Sequence, residues 1–271
     1  MIPITHLNDL GYEYEYYIAY RKRQKNEYLR FHVTDDYTSE MTALENVSCR
    51  EIHISGLKQN SLEYFALNYA QHFPVIDIVH CDGLQDFSCF ETLDTVEYLM
   101  IDWNIRATRL WDMSQNTSLR GLYLSDVKKI ENLSDVVTAP NLKELVIEES
   151  TNSAVSSNKW RLMSLGSLHE APCLERLSLK ISKIEDMDIS PLLKSTSLKR
   201  LTINRDLFTL EDFALIYAKL KNTMVYPDKP FEIFEGDVYA YATGTNRKLK
   251  LDSPKLIELQ KRWDTIVQSN S

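Results

Sequence analysis

A chain of 271 residues with 44% apolar content has the material for a sizeable core. Its formal charge of −8 excludes the dominant basic surface that broad nucleic-acid or anionic-membrane binding requires. Four cysteines without a C-x-x-C pair exclude a disulfide scaffold. Only seven glycines, with neither G-x-G-x-x-G nor G-x-x-x-x-G-K-[ST], argue against nucleotide chemistry, so no cofactor is expected. No run approaches the ~20 apolar residues of a membrane span. The start, with Asn8, Asp9, Glu13 and Glu15, lacks the basic-then-apolar plan of a secretory leader, and the expected location is the cytoplasm.

In chain order, Tyr12 to Tyr20 alternates aromatics with polar residues, the pattern of a strand covered on one face. A basic turn, Arg21 to Asn26, leads to a second extended run, Tyr28 to Val33, and the two predict a β-hairpin capping residues 1–48. From Cys49 a phrase recurs. It is strictest in Leu119-x-x-Leu122-x-Leu124, Leu142-x-x-Leu145-x-Ile147, Leu174-x-x-Leu177-x-Leu179 and Leu198-x-x-Leu201-x-Ile203. Each phrase reads as a strand whose alternate side chains point inward. Looser versions open at Cys49, Val75 and Val96, with His80 where Val75's unit should have an apolar residue; the intervals between first residues are then 26, 21, 23, 23, 32 and 24. A further weak phrase is placed near Leu220.

Nine and six residues before each phrase stand Phe87 and Phe90, Leu110 and Met113, Leu133 and Val136, Leu165 and Leu168, and Ile189 and Leu192, the inward side of a short helix or turn. Pro140 and Pro172, two residues before their phrases, end that element and begin extended chain. The interval from Leu142 to Leu174 carries an insertion, Thr151 to Trp160, which is read either as a tolerated surface loop or as a binding loop anchored by Trp160. After the repeats, Phe231 to Glu235, Val238 to Ala242 and Leu249 to Leu251 predict short strands. Ser253 and Pro254 open a helix with an apolar stripe of Leu256, Leu259, Trp263 and Ile266, and residues 226–271 form a C-terminal cap.

These residues resemble the leucine-rich-repeat family, whose pattern is L-x-x-L-x-L-x-x-[N/C]-x-L in units of about 20–29 residues. The resemblance covers residues 49–225 and has the irregular spacing of bacterial-type repeats. It implies an α/β solenoid, a horseshoe with a parallel concave sheet, closed by the β-hairpin and by a mixed β/α cap. Asn104 matches the family's ladder position, whereas Val127, Ser150, Ser182 and Asp206 replace it.

The alternate residues of each phrase are expected on the concave side. The middle column reads His53, Val79, Met100, Tyr123, Val146, Ser178 and Thr202, with Tyr98 beside it. Tyr98, Met100, Tyr123 and Val146 therefore predict a solvent-facing apolar centre of the composition found at interface hot spots. Around it, Glu51, Asp77, Asp102, Glu144 and Glu148 make the earlier units acidic, and Arg176, Lys180 and Arg200 make the last two basic, a bipolar rim suited to a protein of complementary charge. The resulting expectation is a monomeric, non-enzymatic scaffold that binds a protein partner on these residues. A toxin-neutralising immunity or antitoxin role is its more specific version, by analogy alone, and an architectural subunit is an alternative. An enzyme or metal reading centred on His53, His80 and Cys81 is disfavoured, because His80 and Cys81 are adjacent on a strand and face opposite ways.

Overall fold

A computed structural model describes Leu7, residues 28–149 and residues 159–270. Its main sheet has nine strands, each parallel to its neighbours. They are β1 (Leu29–His32), β2 (Glu51–Ser55), β3 (Val75–Val79), β4 (Tyr98–Asp102), β5 (Gly121–Ser125), β6 (Glu144–Glu148), β8 (Arg176–Lys180), β10 (Arg200–Ile203) and β11 (Met224–Tyr226). The two short strands β7 (Arg161–Leu162) and β9 (Lys183–Ile184) pair separately behind the sheet's sequence. Parallel neighbours need a crossover, and the segments between phrases supply it.

The repeat phrase forms strands because its leucines have one place to go. Leu119, Leu122 and Leu124, and their counterparts in the following units, are all buried in a single core with the backing residues. Phe90, Val136 and Leu168 sit on single 3-10 turns and Leu192 on the helix Ser190–Lys194, as the i, i+3 spacing predicts; Leu110 and Met113 are buried outside any helix, with the Met113 carbonyl accepting from the Asn116 N–H in a turn. Ala139 and Ala171 close two of those turns at ψ 111° and 112°, the extended conformation that a following proline imposes.

The register corrects one unit. His53 pairs with Asp77 and Asp77 with Met100, so the phrase in that unit opens at the buried Phe73 and not at Val75. Asp77 takes the middle column in place of Val79, and His80 lies just past the strand, where no apolar residue is required.

At the N-terminal end, β1 within the run Tyr28 to Val33 pairs parallel with β2 and so belongs to the main sheet. Tyr12 to Tyr20 lies outside the described residues. The weak phrase near Leu220 corresponds to β11, the far edge of the sheet. Beyond it β12 (Phe231–Glu232), β13 (Tyr239–Ala242) and β14 (Lys248–Lys250) form an antiparallel sheet, and the helix Pro254–Asn270 buries Leu256 and Trp263. That helix packs on the helix Leu210–Lys219, with the Tyr217 and Trp263 rings 5.7 Å apart and Arg262 bonded to Glu211.

Candidate functional site

The face of the sheet away from the core, the concave face of the sequence reading, is built by the odd positions of each strand. Tyr98, Gly121, Glu144, Arg176 and Arg200 align in one row, and Met100, Tyr123, Val146, Ser178 and Thr202 in the next. Asp102, Ser125, Glu148 and Lys180 form the third. The strands thus bring together all the expected face residues, with neighbouring strands about 4.8 Å apart.

The face is not the open apolar surface that was expected. Tyr98 is 1% exposed, Met100 0%, Tyr123 2% and Val146 4%. They form, with Val75 and Leu7, a hydrophobic cluster separate from the solenoid core. Leu7, distant from all these strands in sequence, is fully buried among them, and its backbone N–H donates to Glu144 Oε2 at 2.9 Å. The strand alternation that puts these side chains on the concave face was read correctly; what it could not reveal is that another part of the chain lies against them.

The charged rim pairs within itself where the acidic and basic blocks meet. Lys180 Nζ donates to Glu148 Oε2 at 2.9 Å, Tyr123 Oη to Glu148 Oε1 at 2.5 Å, and Arg176 Nε lies 3.8 Å from Glu144 Oε1. Burial, then the Glu148 charge, pushes the Tyr123 phenol well above its ordinary range, so it is a neutral donor. At the acidic end His53 Nδ1 and Asp77 Oδ2 are 2.7 Å apart.

Asp102 is pushed up to about 6, chiefly by burial and then by the charges of Asp77 and Asp126, against the opposing Ser125 hydrogen bond and the charge of His80. In the unfolded chain the same group titrates near 4. Between these values the folded protein keeps a proton that the unfolded chain releases, so this group's contribution to stability falls as pH rises through 4–6 and stays low above it. Asp102→Asn should therefore be more stable than the parent at pH 8, by about 2–3 kcal/mol, and equal to it at pH 4. Urea unfolding at the two pH values checks this; a difference independent of pH would contradict it.

Trp160 is not a surface side chain. It is 0% exposed, its Nε1 donates to Ile130 O at 2.8 Å, and its backbone N–H bonds the Glu149 carboxylate. The preceding residues, Thr151 to Asn158, lie outside the described residues. Asn104 does occupy a buried ladder position, donating to Cys81 O and Leu84 O at 3.0 and 2.9 Å and accepting from the Arg106 and Ala107 N–H groups.

The enzyme constellation is not assembled. Cys81 is buried, its thiol donates to Val79 O at 3.2 Å, and burial pushes it up to about 11, which leaves little thiolate. His80 is exposed and rests against Trp103, ring centres 5.1 Å apart. Among the described residues no group of three or more His, Cys, Asp or Glu side chains could hold a metal, and no helix is long and apolar enough to cross a membrane.

Sequence reasoning missed one feature at the strand exits. Gly56, His80, Trp103 and Asp126, each directly after β2, β3, β4 or β5, have φ of 76°, 50°, 59° and 50°. The left-handed backbone is held because the N–H of His80, Trp103 and Asp126 each continues the ladder, to Asp102 O, Ser125 O and Glu148 O. Trp103 and nearby Ile105 are left exposed by this turn. Gly56 was the plainest sequence signal; His80 and Asp126 belong to residue types enriched at positive φ, and Trp103 does not.

One strand per unit, in register, in an all-parallel sheet with each L-x-x-L-x-L phrase buried against its own backing segment, decides the architecture. The fold is a leucine-rich-repeat solenoid. No protein-family model and no curated protein matches the chain. Among solved structures it is similar to an internalin from Listeria monocytogenes strain 4b F2365, at 14% identity and a TM-score of 0.42, over 67% of this chain and 55% of that one. The chain thus spans about half the length of that internalin.

Proposed function

We propose that this leucine-rich-repeat chain is a non-enzymatic interaction scaffold that binds a protein partner on its concave sheet. The observation that carries the reading is the second hydrophobic cluster. The solenoid core is complete without Tyr98, Met100, Tyr123 and Val146, yet these large residues stand together on the opposite face. Large aromatics at the centre of a face, ringed by Asp102, Glu144, Glu148, Arg176, Lys180 and Arg200, have the make-up of a hot spot with a polar rim. Trp160 is withdrawn from this set because it belongs to the core. A toxin-neutralising role would use the same face, and rests on the acidic composition and analogy alone.

The test begins with a partner identified by capture and remade in pure form. Charge reversal at Arg176 together with Lys180 should weaken its affinity by roughly tenfold or more, since rim charges set complementarity. Reversal at the exposed Lys129 and Glu131, away from this face, should leave it unchanged. Calorimetric titration measures both, and an affinity indifferent to Arg176 and Lys180 rejects the concave face as the binding surface.

A further inference from the structure

We infer that the rim of the concave sheet where β3, β4 and β5 end is the docking point for an arginine side chain of the protein partner, its guanidinium seated on the Asp102 carboxylate and against the Trp103 indole. The inference rests on the reading of the concave sheet as a protein-binding face and names the chemistry that one part of that face recognises.

Trp103 is the one tryptophan of four that the core does not take. Trp111, Trp160 and Trp263 are 1%, 0% and 4% exposed, and Trp103 is 44% exposed. It stands directly after β4 on left-handed backbone, φ 59°, a costly conformation for an aromatic residue. The turn itself has no use for an indole. Its ladder bond to Ser125 O is made by the backbone N–H, and the exit after β2 uses Gly56. His80 and Asp126 take the matching places after β3 and β5, on either side of Trp103. The exposed His80 ring lies 5.1 Å from the Trp103 ring, and nearby Ile105 is also exposed. A tryptophan backed by an imidazole and open to solvent is the residue type that anchors interfaces.

Asp102, the last residue of β4, gives this rim its sign. Elsewhere in the acidic block, Asp77 is 2.7 Å from His53, Glu144 is 3.8 Å from Arg176 and Glu148 is 2.9 Å from Lys180. Asp102 has no basic partner among the described residues. Its register neighbours are Val79 and Ser125, and it accepts a hydrogen bond from the Ser125 hydroxyl. Lys128, the base nearest in sequence after β5, is held 3.3 Å from Asp126. Burial, with the Asp77 and Asp126 charges, holds the Asp102 carboxyl up to about 6, as befits a carboxylate short of a counter-charge. His80 acts on this carboxylate and also rests on the Trp103 ring, which brings carboxylate, imidazole and indole within reach of one bound side chain. A guanidinium suits both partners, since its planar fork fits a carboxylate and its face stacks on an indole; an ammonium supplies the charge without the plane. A cation docked here offsets a charge that otherwise costs the fold stability.

The probes are N-acetylarginine amide, its neutral isostere N-acetylcitrulline amide and N-acetyllysine amide. Each is titrated at about pH 8, where Asp102 is ionised, into full-length protein whose tryptophan indole N–H groups are followed by NMR. The Trp103 resonance is identified by its loss in Trp103→Gly, a change that left-handed backbone accepts. It should shift with the arginine amide and saturate in the roughly millimolar range, while the resonances of the buried Trp111, Trp160 and Trp263 stay in place. Citrulline amide should bind about fivefold or more weakly, lysine amide several-fold more weakly, and Asp102→Asn should weaken the arginine amide by about fivefold. Asp102→Asn removes a charge that the fold tolerates poorly, so the variant folds. A Trp103 resonance that ignores the arginine amide, follows citrulline or lysine amide equally, or responds undiminished in Asp102→Asn overturns the inference. If that happens while charge reversal at Arg176 and Lys180 still cuts partner affinity, the docking point falls and the concave-face reading stands; if those reversals have no effect, the reading itself falls.

Discussion

Replacing Trp160 with alanine should lower the unfolding free energy by about 3–5 kcal/mol, the cost of emptying a fully buried aromatic site. The residue is enclosed by the core on all sides and its indole N–H satisfies the Ile130 carbonyl, while its backbone N–H is taken by Glu149. It therefore ties the start of β7 to the core. Trp160→Phe should cost less, about 1–2 kcal/mol, because most of the volume stays and only the hydrogen bond to Ile130 O is lost. Equilibrium urea unfolding separates the two. If Trp160→Ala left the midpoint unchanged and weakened partner binding instead, the tryptophan would be a surface anchor and its place in the core would be wrong.

The repeat was legible because its signal is local and multiplied. A leucine that must point inward from a strand imposes the same short spacing on every unit, so Leu119, Leu142, Leu174 and Leu198 could be aligned without any structure. The unit containing β3 was misread by two residues because Phe73, Val75, Ile76 and Ile78 are all buried, and an apolar run offers two phases to an alternating template. Only the pairing of Asp77 with His53 and Met100 fixes which phase is used.

Trp160 and the concave cluster were misjudged for a different reason. Their burial comes from residues distant in sequence, Ile130 in one case and Leu7 in the other, and periodicity within a strand is silent about what arrives from elsewhere. The sequence did contain one clue. Gly121 is the sole glycine at its row among β4, β5, β6, β8 and β10, in a chain with only seven glycines, and it stands beside Tyr98, one of the two tyrosines of the face. A glycine with no conformational duty inside a strand marks a close approach.

The charged rim was placed correctly and interpreted too simply. Acidic and basic blocks do occupy successive strands, but at their boundary they satisfy one another through Glu148 with Lys180 and Glu144 with Arg176. The two carboxylates are only 14% and 7% exposed, so removing a basic partner would leave a largely buried charge unpaired.

The claim on which the account turns is that the apolar centre of the concave sheet is a cluster separate from the solenoid core and packed against Leu7. Peroxide oxidation of the methionines, followed by mass spectrometry, tests it directly because the protein carries its own controls. Met224 and Met163 are exposed, Met113 is buried in the core, and Met100 is buried in the concave cluster. In the parent protein Met100 should react as slowly as Met113. In Leu7→Asp, whose carboxylate cannot remain among Tyr98, Tyr123 and Val146, Met100 should react roughly tenfold faster or more while Met113 is unchanged. Met100 reacting as fast as Met224 in the parent, or staying as slow as Met113 in Leu7→Asp, would contradict the account.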